Sequence, residues 1–303
     1  MRIASTQYHA TMTSALQTAQ SQLETVIQQM ASGKKLMLPS DDPVTNVRLS
    51  RLSREEAALT QYRANIDALS TRLRQNESLL DGMTADLQQA RELLVWAADG
   101  GNTSEDVQAM ASSLVALRDS LFYSANSRDQ EGRYMFSGTA TGSATLTYDA
   151  GAAVGSRYSF TGNTGEQKVV VGNGVTQTAN VTLGEMSALL NQLDDTIDAL
   201  RAPGATVNDP ATRARVKGGM QSVDTAINAL SAKIATLGGA QNTLATLTAN
   251  HANVSLSNQQ ALIDLGQLDY GEAAVRLSGY STALEATQKA YAKVSSLSLF
   301  DVI

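Results

Sequence analysis

Cysteine is absent from the 303 residues, which excludes disulfides, thiol catalysis and every zinc site that needs thiolate ligands. Proline is scarce, four in all, so long helices can run without the kink or break that an interior proline imposes. Aromatic residues make up only 5% of the chain, too few for a large aromatic-packed core. Charged residues make up 17%, below the roughly one quarter usual in soluble proteins. Positive charge is in the minority: 23 Lys and Arg stand against 29 Asp and Glu, a net charge of −6. That balance is the reverse of what a phosphate-tracking, nucleic-acid-binding chain needs. Long apolar runs are missing as well. The longest, Leu93 to Ala98, falls far short of the roughly 20 residues that span a bilayer. Met1-Arg2-Ile3-Ala4-Ser5-Thr6-Gln7 lacks the apolar segment of a cleaved signal peptide. Such a chain is expected to stay in the cytoplasm unless a dedicated machine reads something other than a standard signal.

Heptad spacing is what the sequence has in quantity. Leu59, Tyr62, Ile66, Leu69, Leu73, Leu80, Met83, Leu87 and Leu94 alternate steps of three and four, with Asn76 and Ala90 filling the gaps. This predicts one long packed helix. Asp99-Gly100-Gly101-Asn102 stops it, and Thr103 with Asp106 resembles a capping box that starts the next. The following seam is Val107, Met110, Leu114, Leu117 and Leu121, and the short link predicts antiparallel packing.

Helical periodicity then disappears. Eight of the 22 glycines fall within the 37 residues from Gly138 to Gly174. Alternation at Leu146/Tyr148, Tyr158/Phe160 and Val169/Val171, with a turn at Gly172-Asn173-Gly174, predicts short antiparallel strands. Only Asp149, Arg157, Glu166 and Lys168 are charged between Phe136 and Gly184. A segment with its own period and turns is expected to form its own small core, so deleting Gly138 to Gly184 is expected to leave the helices folded. Helix returns at Met186, Leu190, Leu193, Ile197 and Leu200 and breaks at Pro203-Gly204. Asp209 before Pro210 pairs an N-cap with a first-turn proline. From there Val216, Met220, Val223, Ile227, Leu230, Ile234 and Leu237 form a seam; Gly238-Gly239 perturbs its phase, and it resumes as far as Leu268. Unbroken, Pro210 to Leu268 is 59 residues, roughly 90 Å of helix. The expected fold is mainly α: a long coiled-coil or helical-bundle rod formed by the N- and C-terminal halves, with a small antiparallel β insertion.

The two ends carry matched stripes. Met12, Leu16, Ala19, Leu23, Val26 and Met30 step by four and three, and Leu277, Tyr280, Leu284, Thr287, Tyr291 and Val294 answer them. Residues 1–31 hold only Arg2 and Glu24 as formal charges. Isolated helices of this kind are marginal in water and need a packing partner. Two arrangements satisfy them: the ends pair with each other and then with neighbouring copies, or both fold back onto the rod.

Between the first stripe and the rod stands Ser32-Gly33-Lys34-Lys35-Leu36, then Pro39-Ser40-Asp41-Asp42-Pro43-Val44. Gly33 suits a helix C-terminus, where glycine takes φ > 0 cheaply. Asp42 is placed to cap a helix that begins at Pro43. Residues 32–43 therefore read as a structured joint. Arg48, Arg51 and Arg54 follow every three residues as a basic stripe: either a solvated face or a contact with acidic patches on a neighbouring subunit.

These motifs carry a resemblance. The segment Ser32–Val44, the passage Asn126-Ser127-Arg128-Asp129-Gln130-Glu131-Gly132-Arg133-Tyr134-Met135-Phe136-Ser137-Gly138 and the tail Tyr291–Ile303 look like the signatures of the flagellin superfamily, in the expected order. The Pro39-Ser40-Asp41-Asp42-Pro43 form and the tail Leu297-Ser298-Leu299-Phe300 resemble its hook-associated protein 3 branch, the hook–filament junction proteins, more than flagellin. The resemblance implies an axial assembly domain from the ends, 1–45 and 270–303, a rod domain at 46–137 and 185–269, and a small β domain at 138–184. It implies a non-enzymatic extracellular subunit of the bacterial flagellum, exported through the flagellar channel without a cleaved signal peptide. The implied partners are further copies in a ring of about eleven, hook-associated protein 1, flagellin, and a cytoplasmic export chaperone holding the tail. A flagellin-type filament subunit is the alternative within the class; a cytoplasmic coiled-coil scaffold or signalling protein is the alternative outside it, and it would need neither the glycine-rich insertion nor under-satisfied stripes at both ends.

Catalytic chemistry finds little footing. His9 and His251 are the only histidines, far apart in sequence, and His251 sits on a seam. Asp194 and Asp195 are adjacent, and helical neighbours diverge by about 100°, so they do not converge on one ligand. Ser32-Gly33-Lys34 imitates the end of a P-loop but has Gln28 where that motif needs glycine. Glu166 and Lys168 read as a surface pair on a strand. The seam methionines Met12, Met30, Met83, Met110 and Met220 need no cofactor. Asn76 and Asn258 at seam positions fix register or mark a partly exposed seam. No cofactor or metal is expected.

Overall fold

A computed structural model describes the backbone of residues 2–300 and the side chains of residues 6–293. The order is α1 (Arg2–Ser32), α2 (Pro43–Ala97), α3 (Ser104–Ala125), β1 (Leu146–Tyr148), β2 (Tyr158–Phe160), β3 (Lys168–Gly172), β4 (Val175–Thr178), α4 (Met186–Arg201), α5 (Pro210–Gly266) and α6 (Tyr270–Phe300). Two compact units result: Met1–Leu59 with Ala252–Ile303, and Thr60–His251. Their boundaries fall inside α2 and α5, which are continuous. Gly238-Gly239 does not interrupt α5, which ends at Gly266, two residues before the last seam leucine, Leu268.

In the unit Thr60–His251, the seam of α2 is fully buried from Ile66 to Leu94. It shares one core with Val216, Val223, Leu230, Leu237 and Leu244 of α5 and with Val107, Leu114 and Leu121 of α3. Arg91 pairs with Asp224 at 2.6 Å and Gln241 donates to Glu77 at 2.6 Å, so α2 and α5 run antiparallel. Both helix starts follow their caps. Thr103 and Asp106 form a complete capping box on α3, and Asp209 accepts from the Thr212 amide at 2.9 Å. These hydrogen bonds hold the Asp106 and Asp209 carboxyls below the usual carboxylate range.

Asn76 breaks the apolar pattern of this seam. It is 0% exposed, and neither polar atom of its amide has a hydrogen-bond partner. A buried unsatisfied group of this kind costs about 1–3 kcal/mol. The Asn76→Leu variant is therefore expected to melt several degrees higher than the parent by circular dichroism. An unchanged or lower melting temperature would mean that the amide is satisfied in solution.

The insertion differs from expectation. β1 pairs with β2 with Leu146 opposite Phe160, and β3 with β4, with a register shift between Val170 and Gly172. Two-stranded ribbons this short cannot bury both faces of a sheet. They have no separate core: Leu146, Tyr158, Val171, Ala179 and Leu183 belong to the same buried cluster as the helical seams. Side-chain amides clamp the strands to the helices. Asn126 donates to the Leu146 carbonyl and accepts from its amide, both at 3.0 Å. Asn191 does the same with Tyr158 at 2.8 Å, and Asn65 donates to the Val170 carbonyl at 2.8 Å. Gly138 fixes the start of the segment, since a Cβ there would lie 2.1 Å from the Asn163 carbonyl oxygen.

Asp194 of α4 anchors the attachment. Only 3% exposed, it accepts from Arg118 of α3 at 2.8 Å and from Arg157 of the insertion at 3.4 Å. Tyr158 sits beside this cluster, 5.5 Å from the Phe122 ring and 5.9 Å from the Arg118 guanidinium; burial pushes its phenol up to about 12.

Candidate assembly site

The other unit, Met1–Leu59 with Ala252–Ile303, is built around a pair of terminal helices. α1 and α6 pack along each other, because each has an apolar stripe and neither has another surface in its own sequence to cover it. The cover is incomplete. Val26, Leu268 and Ala273 are buried, with Met30, Leu277 and Tyr280 packed partly buried against them. Met12, Leu16 and Leu23 of α1, and Leu284 and Tyr291 of α6, are half-buried. The side chain of Val294 lies outside the described residues. Farther along, the His9 ring meets Tyr291 edge-on at 5.5 Å.

The pair is fixed to the joint by backbone geometry. Gly33 takes φ +68°, which ends α1 and turns the chain back. Its carbonyl accepts from the Leu268 amide at 3.0 Å, and the Lys35 amide donates to Gly266 at 2.9 Å. The Tyr270 hydroxyl donates to the Met30 carbonyl at 3.2 Å. Asp41 accepts from the amides of Met37 and Leu38 at 3.0 and 2.8 Å. Asp42 accepts from Val44 and Thr45 at 3.1 and 3.0 Å and caps α2, which begins at Pro43. Hydrogen bonds from Thr45, then Val44 and the nearby Arg48, hold the Asp42 carboxyl below its usual range. Asp269 caps α6 through the amides of Gly271 and Glu272 at 2.8 and 3.1 Å. Sequence reasoning missed that cap, although Asp269 directly before a helix start is an N-cap signal.

Other singled-out residues lie elsewhere or stand alone. Arg48, Arg51 and Arg54 are exposed on α2. In the unit Thr60–His251, His251 is half-buried with its ring 5.8 Å from that of Tyr62. Asp195 turns away from Asp194 to face Arg215 at 3.6 Å. Glu166 and Lys168 pair at 3.3 Å on the surface. Among the described residues no group of His, Asp and Glu is arranged to hold a metal, and no helix is long and apolar enough to cross a membrane. What the geometry offers is a joint, two half-covered stripes and charged surface: the equipment for association.

Comparison with known proteins points the same way. Residues 3–141 match the bacterial flagellin N-terminal helical region and residues 220–302 the bacterial flagellin C-terminal helical region. The chain is 28% identical over 290 residues to flagellar hook-associated protein 3 of Escherichia coli (strain K12), covering 91% of each chain. It is 26% identical over 318 residues to the protein of that name from Salmonella typhimurium, covering 100% of this chain and 99% of the other. Among solved structures, that of a flagellar hook-associated protein from Vibrio parahaemolyticus aligns with TM-score 0.67 and 31% identity, over 75% of this chain and 100% of that one.

Proposed function

From the fact that the chain belongs to the flagellar hook-associated protein 3 family, with flagellin-type helical regions at both ends, we propose that it joins the hook of the bacterial flagellum to the filament by packing its terminal helices against those of neighbouring copies. Its relatives are structural flagellar proteins. The proposed role is accordingly non-enzymatic, and it needs no cofactor. Residues 1–45 and 270–303 serve as the axial assembly domain, 46–137 and 185–269 as the supporting helical domain, and 138–184 as the outward β segment.

One observation carries this reading. α1 and α6 meet, yet their stripes at Met12, Leu16, Leu23, Leu277, Tyr280, Leu284 and Tyr291 remain only half-covered. Two isolated helices bury one seam and leave the flanks of that seam wet; further helices must complete it. In the proposed assembly these come from about eleven copies closed into a ring. Hook-associated protein 1 lies on the hook side and flagellin on the other. Before assembly the subunit leaves the cell through the flagellar export channel with its N-terminus uncleaved, and a cytoplasmic chaperone covers the C-terminal helix.

The test is electron microscopy of a strain lacking the gene. Bare hooks with flagellin lost to the medium are the expected result. Filaments of normal number and length on that strain would refute the junction role.

A further inference from the structure

The joint lies wholly inside the unit Met1–Leu59 with Ala252–Ile303. Two chain paths run through it, from α1 to α2 and from α5 to α6, and both helical runs break there. The two breaks are tied together as a short clasp. Lys34 stands opposite Gln267 in an antiparallel bridge, flanked by the Lys35–Gly266 and Leu268–Gly33 backbone hydrogen bonds. The Gln29 side chain of α1 adds a tie, donating to the Lys35 carbonyl at 2.8 Å. The Tyr270 hydroxyl binds the start of α6 to the end of α1 through the Met30 carbonyl. α1 and α6 are therefore fastened to each other at their roots as well as along their seam.

Toward α2 and α5 the fastening is slight. Among the described residues, the buried cluster of α1 and α6 includes no residue of α2 or α5. The large core that α2 and α5 share holds no residue of this unit. Between the joint and the adjoining ends of α2 and α5 lies an open groove of about 740 Å³. Leu36 and Met37 line it from the joint, Leu49 from α2 and Leu262 from α5, and all four are half-buried. Each path also starts its next helix afresh, with Asp42 capping α2 and Asp269 capping α6. No continuous helical backbone carries α1 into α2 or α5 into α6.

We propose that the clasp is a hinge axis, about which α1 and α6 tilt as one body relative to the adjoining ends of α2 and α5. Hinges work through a few loop or element-terminal residues that absorb the change in φ and ψ. Here those are residues 36–42 on one path and 266–267 on the other. Tilting toward the groove brings Leu36 and Met37 onto Leu49 and Leu262 and removes apolar surface from water. Tilting in either direction breaks no contact within the α1–α6 seam. A subunit set between two unlike neighbours has to fit its terminal helices to both, and a hinge that moves the pair whole does so without opening a half-covered seam. That use rests on the junction reading; the hinge itself does not.

Distances between spin labels in the free subunit test it, and the absence of native cysteine leaves each label only where it is placed. Ser21 of α1, Ser278 of α6 and Glu55 of α2 are exposed, and cysteine at these positions is expected to leave melting unchanged. The Ser21→Cys/Ser278→Cys pair is expected to give a narrow distance distribution. The Ser21→Cys/Glu55→Cys pair, which spans the joint, is expected to give one roughly twice as broad or more, as for elements joined by few buried contacts. A joint-spanning distribution as narrow as the first would mean a rigid joint. A first distribution as broad as the second would mean that α1 and α6 do not move as one body. Both results overturn the proposal.

The clasp has its own readout. Lys34 and Gln267 form the non-hydrogen-bonded kind of antiparallel pair, with Cα atoms about 4.5 Å apart, inside the range of about 4.4–6.8 Å that a disulfide spans. Lys34→Cys with Gln267→Cys is expected to oxidise within one chain. In the gene-deletion strain the oxidised pair is expected to restore filaments as well as the reduced one, because the clasp stays shut while the hinge moves. A pair that does not oxidise, or filaments built only under reducing conditions, would mean that the clasp opens and would overturn the hinge. If the gene-deletion strain itself builds normal filaments, the junction reading fails instead, and the spin-label distances still decide the hinge.

Discussion

Replacing Asp194 with alanine is expected to lower the melting temperature of the protein by about 10 °C. Asp194 is 3% exposed and holds Arg118 and Arg157 from opposite sides. Its removal takes the shared anion from two partly buried guanidinium groups: Arg118 keeps Asp119 at 2.8 Å, and Arg157 keeps only the Ala152 carbonyl at 3.3 Å. Breaking a buried pair by removing one partner costs about 3–5 kcal/mol, and the remaining hydration of both arginines brings the expectation to the lower end. At about 2–4 °C per kcal/mol for a unit of this size, a shift near 10 °C follows. Removing Gly138 to Gly184 altogether has a larger effect. Leu146, Tyr158, Val171, Ala179 and Leu183 leave the common core, each full burial being worth up to about 1.5–3 kcal/mol for a large side chain. Asn126 and Asn191 lose the backbone groups they clamp. Loss of cooperative melting is expected for the deletion, measured by circular dichroism in thermal and urea unfolding. A truncated chain that melts like the parent would show that the insertion is an independent appendage after all.

The second large effect is expected at Leu284→Asp, and it concerns assembly rather than folding. Leu284 is half-buried on α6 against α1, so in the free subunit the new carboxylate keeps access to water. Leu284 lies outside the unit Thr60–His251, so the main melting transition is expected to stay within about 0.5 kcal/mol of the parent, as surface substitutions usually do. In the assembled state neighbouring helices close over the position, and a buried carboxylate without a partner costs several kcal/mol. The variant is expected to be exported but not incorporated, with filaments nearly absent and flagellin in the medium. Normal filaments would remove Leu284 from the assembly contact. A large fall in the main transition would place its role in folding.

Helix ends were the most legible part of this chain, because caps are local. Thr103 with Asp106, Asp42 before Pro43 and Asp209 before Pro210 each carry their partner within three or four residues, and each start stands where that signal put it. The strands were legible for the same reason, as period-two alternation between glycines. The docking of those strands was not. Arg118 and Asp194 are 76 positions apart, and Asn126 and Leu146 are 20 apart. No periodicity encodes such a meeting, and the low charge of the insertion read equally well as a private core. Asp194 was read only with Asp195, as two carboxylates that diverge on a helix; that divergence sends Asp194 inward to Arg118 and Arg157 and Asp195 out to Arg215. At the ends, the stripes showed that partners were needed, and the pairing of α1 with α6 shows which partner comes first.

Hydrogen exchange along α1 and α6, in the free subunit and in isolated flagella, tests most directly whether these helices are completed by neighbouring copies. With one seam half-covered, their amides in the free subunit should exchange through frequent local opening, far faster than those of α2 between Ile66 and Leu94. In flagella they should be protected to a similar degree as that stretch of α2. Strong protection of α1 and α6 in the free subunit, unchanged on assembly, would contradict the assignment of the terminal stripes to contacts between copies.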